Sequence, residues 1–267
     1  MEALHERSAS ATATRRAATT CAASGSCVKA TLRAGYGIYC WSVFVPLALG
    51  ALLLALPVPG VMLRRRIVRR GARLFFLLAG LRVTVRGLER LPAGPCVVVA
   101  NHASYLDGVL MQAVLPPRFT FVIKREIVRV PLASLLLRRI GSEFVERFDR
   151  QQGGIDARRL LRAADAGQSL AFFPEGTFSE RIGLARFRAG AFVTAARARV
   201  PVVPVVIRGA RAVLPPRGRL PRRGELEVEL LEILAPATVG ESGAAVRLRV
   251  AERAAILAGV GEPDLER

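Results

Sequence analysis

The sequence predicts an α/β domain with a largely parallel central sheet flanked by helices, preceded by N-terminal membrane helices. Two observations carry this reading. Short runs rich in Val, Ile and Phe alternate with longer stretches of helical apolar spacing, the pattern of strands joined by crossover helices. Ahead of them no charged residue occurs between Ala34 and Leu63, a run long enough to hold a helix that spans a hydrocarbon layer.

Taken in order, residues 1–33 are mostly Ala, Ser, Thr and Arg without hydrophobic period and read as a disordered low-complexity tail. Residues 34–81 read as membrane-attachment helices with a basic cluster. Tyr36 to Leu56 is the most apolar part; Trp41 and two tyrosines stand near its start as interfacial aromatics do, and Pro46 interrupts it. A kinked span, a re-entrant hairpin and one straight transmembrane helix all fit that pattern. Pro57 and Pro59 close the run, and Arg64-Arg65-Arg66-Ile67-Val68-Arg69-Arg70 follows, with Leu74 to Leu81 behind it. Arginines among lipid phosphates, with Leu and Phe beneath, describe a membrane-surface element, and the positive-inside tendency sets this flank on the cytoplasmic side. Residues 82–267 then form one domain. Strands are predicted at 82–86, 96–100, 119–123, 143–146, 169–173, 202–207 and 225–230, with helices near 106–114, 131–139, 154–166, 189–199 and 243–258. The Pro- and Arg-rich stretch Leu214 to Gly224 is a surface connection.

With 267 residues and a formal charge of +19, the chain can bury a sizeable core and favours anionic partners, either nucleic acid or a membrane surface. The charge is spread along the chain, aromatics are sparse, and neither zinc-finger spacing nor an RNA-binding motif occurs, so no nucleic acid is expected. Cys21, Cys27, Cys40 and Cys96 form no CxxC pair and fit neither a disulfide framework nor a metal site. A reducing cytoplasm suits them.

The chemistry gathers in four stretches. After the apolar run Cys96 to Ala100 comes Asn101-His102-Ala103-Ser104-Tyr105-Leu106-Asp107. A histidine at a strand exit stands where α/β proteins carry their sites. A carboxylate about one and a half helical turns on can hold one imidazole nitrogen and leave the other free as a base. His102 is one of only two histidines, and the other, His5, lies in the tail. Gly141 to Arg147 places an arginine after a short strand, suited to clamping an anion. Phe172-Phe173-Pro174-Glu175-Gly176-Thr177 ends a strand in a turn that sets a carboxylate beside a permissive glycine. Val200 to Pro204 leads into a buried strand stiffened by proline.

In this order the four stretches closely resemble the four blocks of the glycerolipid acyltransferase family, that of bacterial 1-acylglycerol-3-phosphate acyltransferases, over about residues 80–235. The resemblance implies a single acyltransferase domain over 82–267 that moves a fatty acyl chain from acyl-CoA or acyl-carrier protein to a lysolipid acceptor. It implies His102 as the base and Asp107 as its support, with Asn101, Lys124, Arg147, Glu175, Gly176 and Thr177 in the substrate site. Neither a cofactor nor a metal is implied. No Gly-x-Ser-x-Gly elbow is present to supply an enzyme nucleophile. The third block departs from the family pattern, reading Gly176-Thr177-Phe178-Ser179-Glu180-Arg181 where Gly-Thr-Arg-Ser-Arg is usual. That leaves the acceptor head group open: 1-acylglycerol-3-phosphate first, or another lysolipid such as a larger-headed lysophospholipid or a lyso-aminolipid. A basic, membrane-tethered binding protein is the alternative outside enzymes. The expected location is the inner membrane, with the domain on the cytoplasmic side against an anionic surface.

Overall fold

A computed structural model describes residues 31–146 and 150–266, with the side chains of 150–154 left aside. The tail up to residue 30, and Arg147 of the second block, lie outside the described residues. The chain opens with α1 (Thr31–Ala55) and α2 (Val61–Leu78). It then runs β1 (Arg82–Arg86), β2 (Val97–Ala100), α3 (Leu106–Val114), β3 (Phe119–Lys124), α4 (Pro131–Arg139), β4 (Glu143–Val145), α5 (Arg150–Asp165) and β5 (Ser169–Phe172). After these come α6 (Gly190–Ala198), β6 (Val202–Arg208), α7 (Ala210–Val213), β7 (Glu225–Leu230) and α8 (Ala244–Val260). The predicted strands and long helices all appear. The short α7 and the 3-10 turns Leu88–Arg90 and Arg125–Arg129 were not predicted.

The seven strands form one sheet in the order β1-β7-β6-β2-β5-β3-β4. All neighbouring pairs are parallel except β6 with β7. Strand alternation sorts the core into two layers. Val98 and Ala100 of β2 face α2 and α3, whereas Val97 and Val99 face α6 and α8. The topology then sets the place of a site. From β2 the chain crosses through α3 to β3 on one side, and from its neighbour β5 it crosses through α6 to β6 on the other. The carboxyl ends of β2 and β5 therefore flank a switch point, where the diverging connections leave a crevice.

The N-terminal helices are part of this core. Cys40, Ala72, Phe75 and Phe76 belong to the same buried cluster as β2 and α3, and the Phe44 and Phe75 rings meet edge-on at 5.2 Å. α1 is long and apolar enough to cross a membrane, and it continues as helix through Pro46. The bend falls instead at Pro57 and Pro59, giving a helical hairpin. The basic cluster also departs from its expected exposure. Arg65 is buried, its guanidinium donating to the carbonyls of Ile140 (2.8 Å) and Gly141 (3.2 Å) and to Thr120 Oγ1 (2.7 Å). Arg69 donates to Val114 O and Arg73 to Ala113 O at the end of α3, and Arg64 to Arg139 O at the end of α4. The last carbonyls of a helix lack intrahelical partners and carry partial negative charge, so they draw these cations inward. Arg66 and Arg70 remain exposed.

On α8, Glu252 is 0% exposed, and neither carboxylate oxygen has a hydrogen-bond partner. Burial pushes its pKa well above the ordinary carboxylate value of 4.5. Below that value the carboxyl is protonated in both folded and unfolded chains. As pH rises the unfolded chain ionises first, and stability is lost until the folded pKa is passed. Glu252→Gln should therefore raise Tm in detergent by a margin that widens as pH climbs from about 4.5. Thermal scans across pH showing a constant margin would contradict this.

Candidate active site

The turn after β2 is tied down by two carboxylates. Asp107, in the first turn of α3 and fully buried, accepts at Oδ2 from Ala103 N (2.7 Å), Ser104 N (2.8 Å) and His102 Nδ1 (2.9 Å). Two backbone amides already end on this oxygen, which serves as an acceptor. Its imidazole partner must then donate from Nδ1, which leaves Nε2 as the unprotonated nitrogen. The second carboxylate comes from the exit of β5. Glu175 accepts at Oε1 from His102 N (2.7 Å) and at Oε2 from Ala185 N (2.9 Å). The amides of residues 102, 103 and 104 thus all end on these two acids. The two adjacent strand ends are joined across the switch point.

Burial raises Glu175 to about 7, with Asp107 and Glu262 adding repulsion and the two amide bonds opposing it. The turn that presents Glu175 depends on Gly176, whose φ of +83° lies in the left-handed region that favours glycine. Gly176 N closes this turn on Phe173 O (3.1 Å).

Aromatic rings wall the imidazole. Phe173 stacks on it at 4.3 Å, Phe178 meets it edge-on at 4.7 Å, and Tyr105 meets Phe178 at 4.6 Å. The His102 side chain keeps 17% exposure. It lines an apolar cavity of about 340 Å³ that reaches Phe44 and Ala51 of α1, Phe75 of α2 and Leu136 of α4. Lys124, Gly176 and Thr177 share this cavity. A second cavity, of about 410 Å³, lies towards α5 and α6 and is lined by Glu146, Pro174, Gly176, Arg188 and Arg197.

Of the residues singled out in the sequence, His102, Asp107, Lys124, Glu175, Gly176 and Thr177 come together here. Asn101 does not face the cavity. It is buried, and its side-chain amide donates to Ile207 O (2.9 Å) and accepts from Ile207 N (2.7 Å), locking β2 to β6. A substrate contact was expected of it; both ends of the amide are taken by backbone instead. Glu175 likewise has each oxygen on a backbone amide. Phe178, noted in the sequence as a departure in the third block, stands against the imidazole. Sequence reading missed Phe173 as the ring stacked on it, Tyr105 as the ring behind Phe178, and Arg188 and Arg197 as cations lining the second cavity. Tyr105 lay within the first block, but α6 carries no motif to mark Arg197.

Glu175→Gln would turn an NH2 group towards one of two backbone amides, a mismatch of about 1–3 kcal/mol. As Glu175 holds the His102 backbone, kcat should fall while the acceptor KM changes little. A rise confined to KM would assign Glu175 to the acceptor instead.

Residues 82–208 match the Acyltransferase family model. The 1-acyl-sn-glycerol-3-phosphate acyltransferase of Saccharomyces cerevisiae is 31% identical over 169 residues, 60% of this chain and 55% of that protein. The alpha form from Homo sapiens is 34% identical over 191 residues, 67% of this chain and 65% of that one. The chain thus spans between half and two thirds of the length of these two relatives. Among solved structures, the 1-acyl-sn-glycerophosphate (LPA) acyltransferase PlsC from Thermotoga maritima superposes with a TM-score of 0.70 at 22% identity, over 88% of this chain and 95% of that one. That likeness is one of fold.

Proposed function

We propose that this chain, whose residues 82–208 match the Acyltransferase family model, moves a fatty acyl group from an acyl thioester to the free hydroxyl of a 1-acylglycerol-3-phosphate, giving phosphatidate for phospholipid synthesis. One observation carries the reading: an oriented His102–Asp107 pair at the sheet's switch point, on the wall of an apolar cavity. Nε2 of His102 takes the proton of the acceptor hydroxyl as its oxygen attacks the thioester carbonyl. Asp107 stabilises the imidazolium that results. Collapse of the tetrahedral intermediate breaks the C–S bond, and the imidazolium returns the proton to the leaving thiolate. Thioesters are activated acyl donors, so holding the two reactants together supplies much of the remaining rate.

The cavity beneath His102 suits an acyl chain, because its walls from α1, α2 and α4 are apolar. For the acceptor phosphate, the described residues offer Lys124 in that cavity and Arg188 with Arg197 in the second. Arg147 follows Glu146, which lines the second cavity. The donor is acyl-CoA or acyl-carrier protein. Attachment to an anionic membrane surface rests on α1, with Ile38, Leu49, Leu53 and Leu54 exposed, and on Arg66 and Arg70 beside it. The expected location is the inner membrane, and the basic flank supports a domain on its cytoplasmic side.

His102→Ala should lower acyl transfer by a factor on the order of a hundred to ten thousand, the range of general-base catalysis. Asp107→Asn should reduce turnover by losing imidazole orientation. Thiol release dependent on a lysolipid, followed with a thiol reagent, measures both; near wild-type rates in His102→Ala would remove the mechanism.

A second acceptor reading rests on Phe178, which stands against His102 and Tyr105 where relatives carry a cation. With lysophosphatidate as acceptor, Arg147→Ala should raise its KM strongly and Phe178→Arg should improve its use. Preference for a zwitterionic or amino-acid lysolipid, weakened by Phe178→Arg, would assign the site to the larger head group.

A further inference from the structure

The loop Leu214–Gly224 enters none of the chemistry above, yet it is pressed against α1. A Cβ built on Gly37 would stand 2.5 Å from the Leu220 Cβ, so only glycine allows the loop this close. Trp41 Nε1 donates to Arg219 O at 2.7 Å, and the Arg223 guanidinium lies 5.3 Å from the Tyr36 ring centroid. The loop's first residue is held to the catalytic turn, since Ser104 Oγ donates to Leu214 O (2.7 Å). Pro215, Pro216 and Pro221 restrict its backbone. Its arginines are therefore fixed in place. Arg219, Arg222 and Arg223 are exposed, and no ion pair to a described carboxylate neutralises them. Beside them runs the exposed stripe Ile38, Val45, Leu49 and Leu53 of α1.

We infer that Arg219, Arg222 and Arg223 form a second membrane-contacting site that binds the head-group phosphates of an anionic phospholipid monolayer. An apolar stripe bordered by uncompensated guanidiniums matches the layered chemistry of that interface, with acyl chains beneath phosphates. Arg223 on the Tyr36 ring keeps its charge, because a cation–π contact is not a neutralising one. The basic cluster of α2 is largely turned inward, so this loop takes over much of the phosphate-binding part expected of it. Through Ser104 the contact is continuous with the turn that carries His102. The inference rests on the proposed membrane attachment.

The test uses the full chain, made by cell-free synthesis in the presence of phosphatidylcholine vesicles with or without phosphatidylglycerol, then floated at increasing salt. The wild type should partition more strongly to the anionic vesicles, and salt should weaken this preference. The variant R219Q/R222Q/R223Q should lose about fivefold of that preference per arginine, the effect of one basic residue at an anionic surface. Binding to neutral vesicles should be unchanged. R219K/R222K/R223K should retain most of the preference, separating charge from folding, and acyl transfer in neutral detergent should stay at wild-type level in all three proteins. A glutamine variant that keeps the wild-type preference and salt dependence overturns the loop site and leaves membrane attachment standing. A wild type that floats with neither vesicle overturns both.

Discussion

Three N–H groups converge on one oxygen of Asp107, and the site depends on that convergence. The carboxylate lies fully buried in the first turn of α3. Amides of its own turn replace the water given up at Oδ2, while Oδ1 is buried without a hydrogen-bond partner among the described residues. The bond from His102 Nδ1 to the same oxygen sets the imidazole tautomer, so the geometry that holds the acid also orients the ring. Glu175 extends the arrangement across the switch point, holding the exit of β2 to the exit of β5. Asn101 does the equivalent towards β6. The histidine therefore rests on three adjacent strands, and movement of any one would move its ring.

A second constraint joins the apolar hairpin to the domain. Arg65 satisfies carbonyls at the end of α4 and a hydroxyl of β3, while Phe75 packs with α1 above the sheet. The cavity beneath His102 is walled on one side by that hairpin. Removing α1 and α2 would thus open the cavity and expose core. Under the proposed function, the reaction site and the membrane contact would share this one piece of structure.

Much of this was legible in the sequence where the signal was local. Each β-branched run became a strand within about a residue or two. His102 and Asp107 meet because a turn and a helix start separate them by a fixed five residues. What stayed hidden depends on partners far along the chain. Asn101 looked like part of a substrate motif, but its partner Ile207 is 106 residues away. Arg65 looked like a lipid ligand, since no local pattern shows that helix ends wait 75 residues on. Pro46 suggested a break, yet helix packing carries α1 through it. The loop Leu214–Gly224 read as a plain connection because nothing in its own sequence names Tyr36, Gly37 and Trp41 as its floor.

Asp107 holds the His102 imidazole in its Nδ1–H tautomer, with Nε2 free. Only two histidines are present, so His5→Gln leaves one to observe. Nitrogen-15 NMR of that protein, labelled at histidine and kept in detergent, reads the tautomer directly. The neutral ring should carry its proton at Nδ1, with the preference lost in Asp107→Asn. A neutral ring protonated at Nε2, or a tautomer indifferent to Asp107, would contradict it.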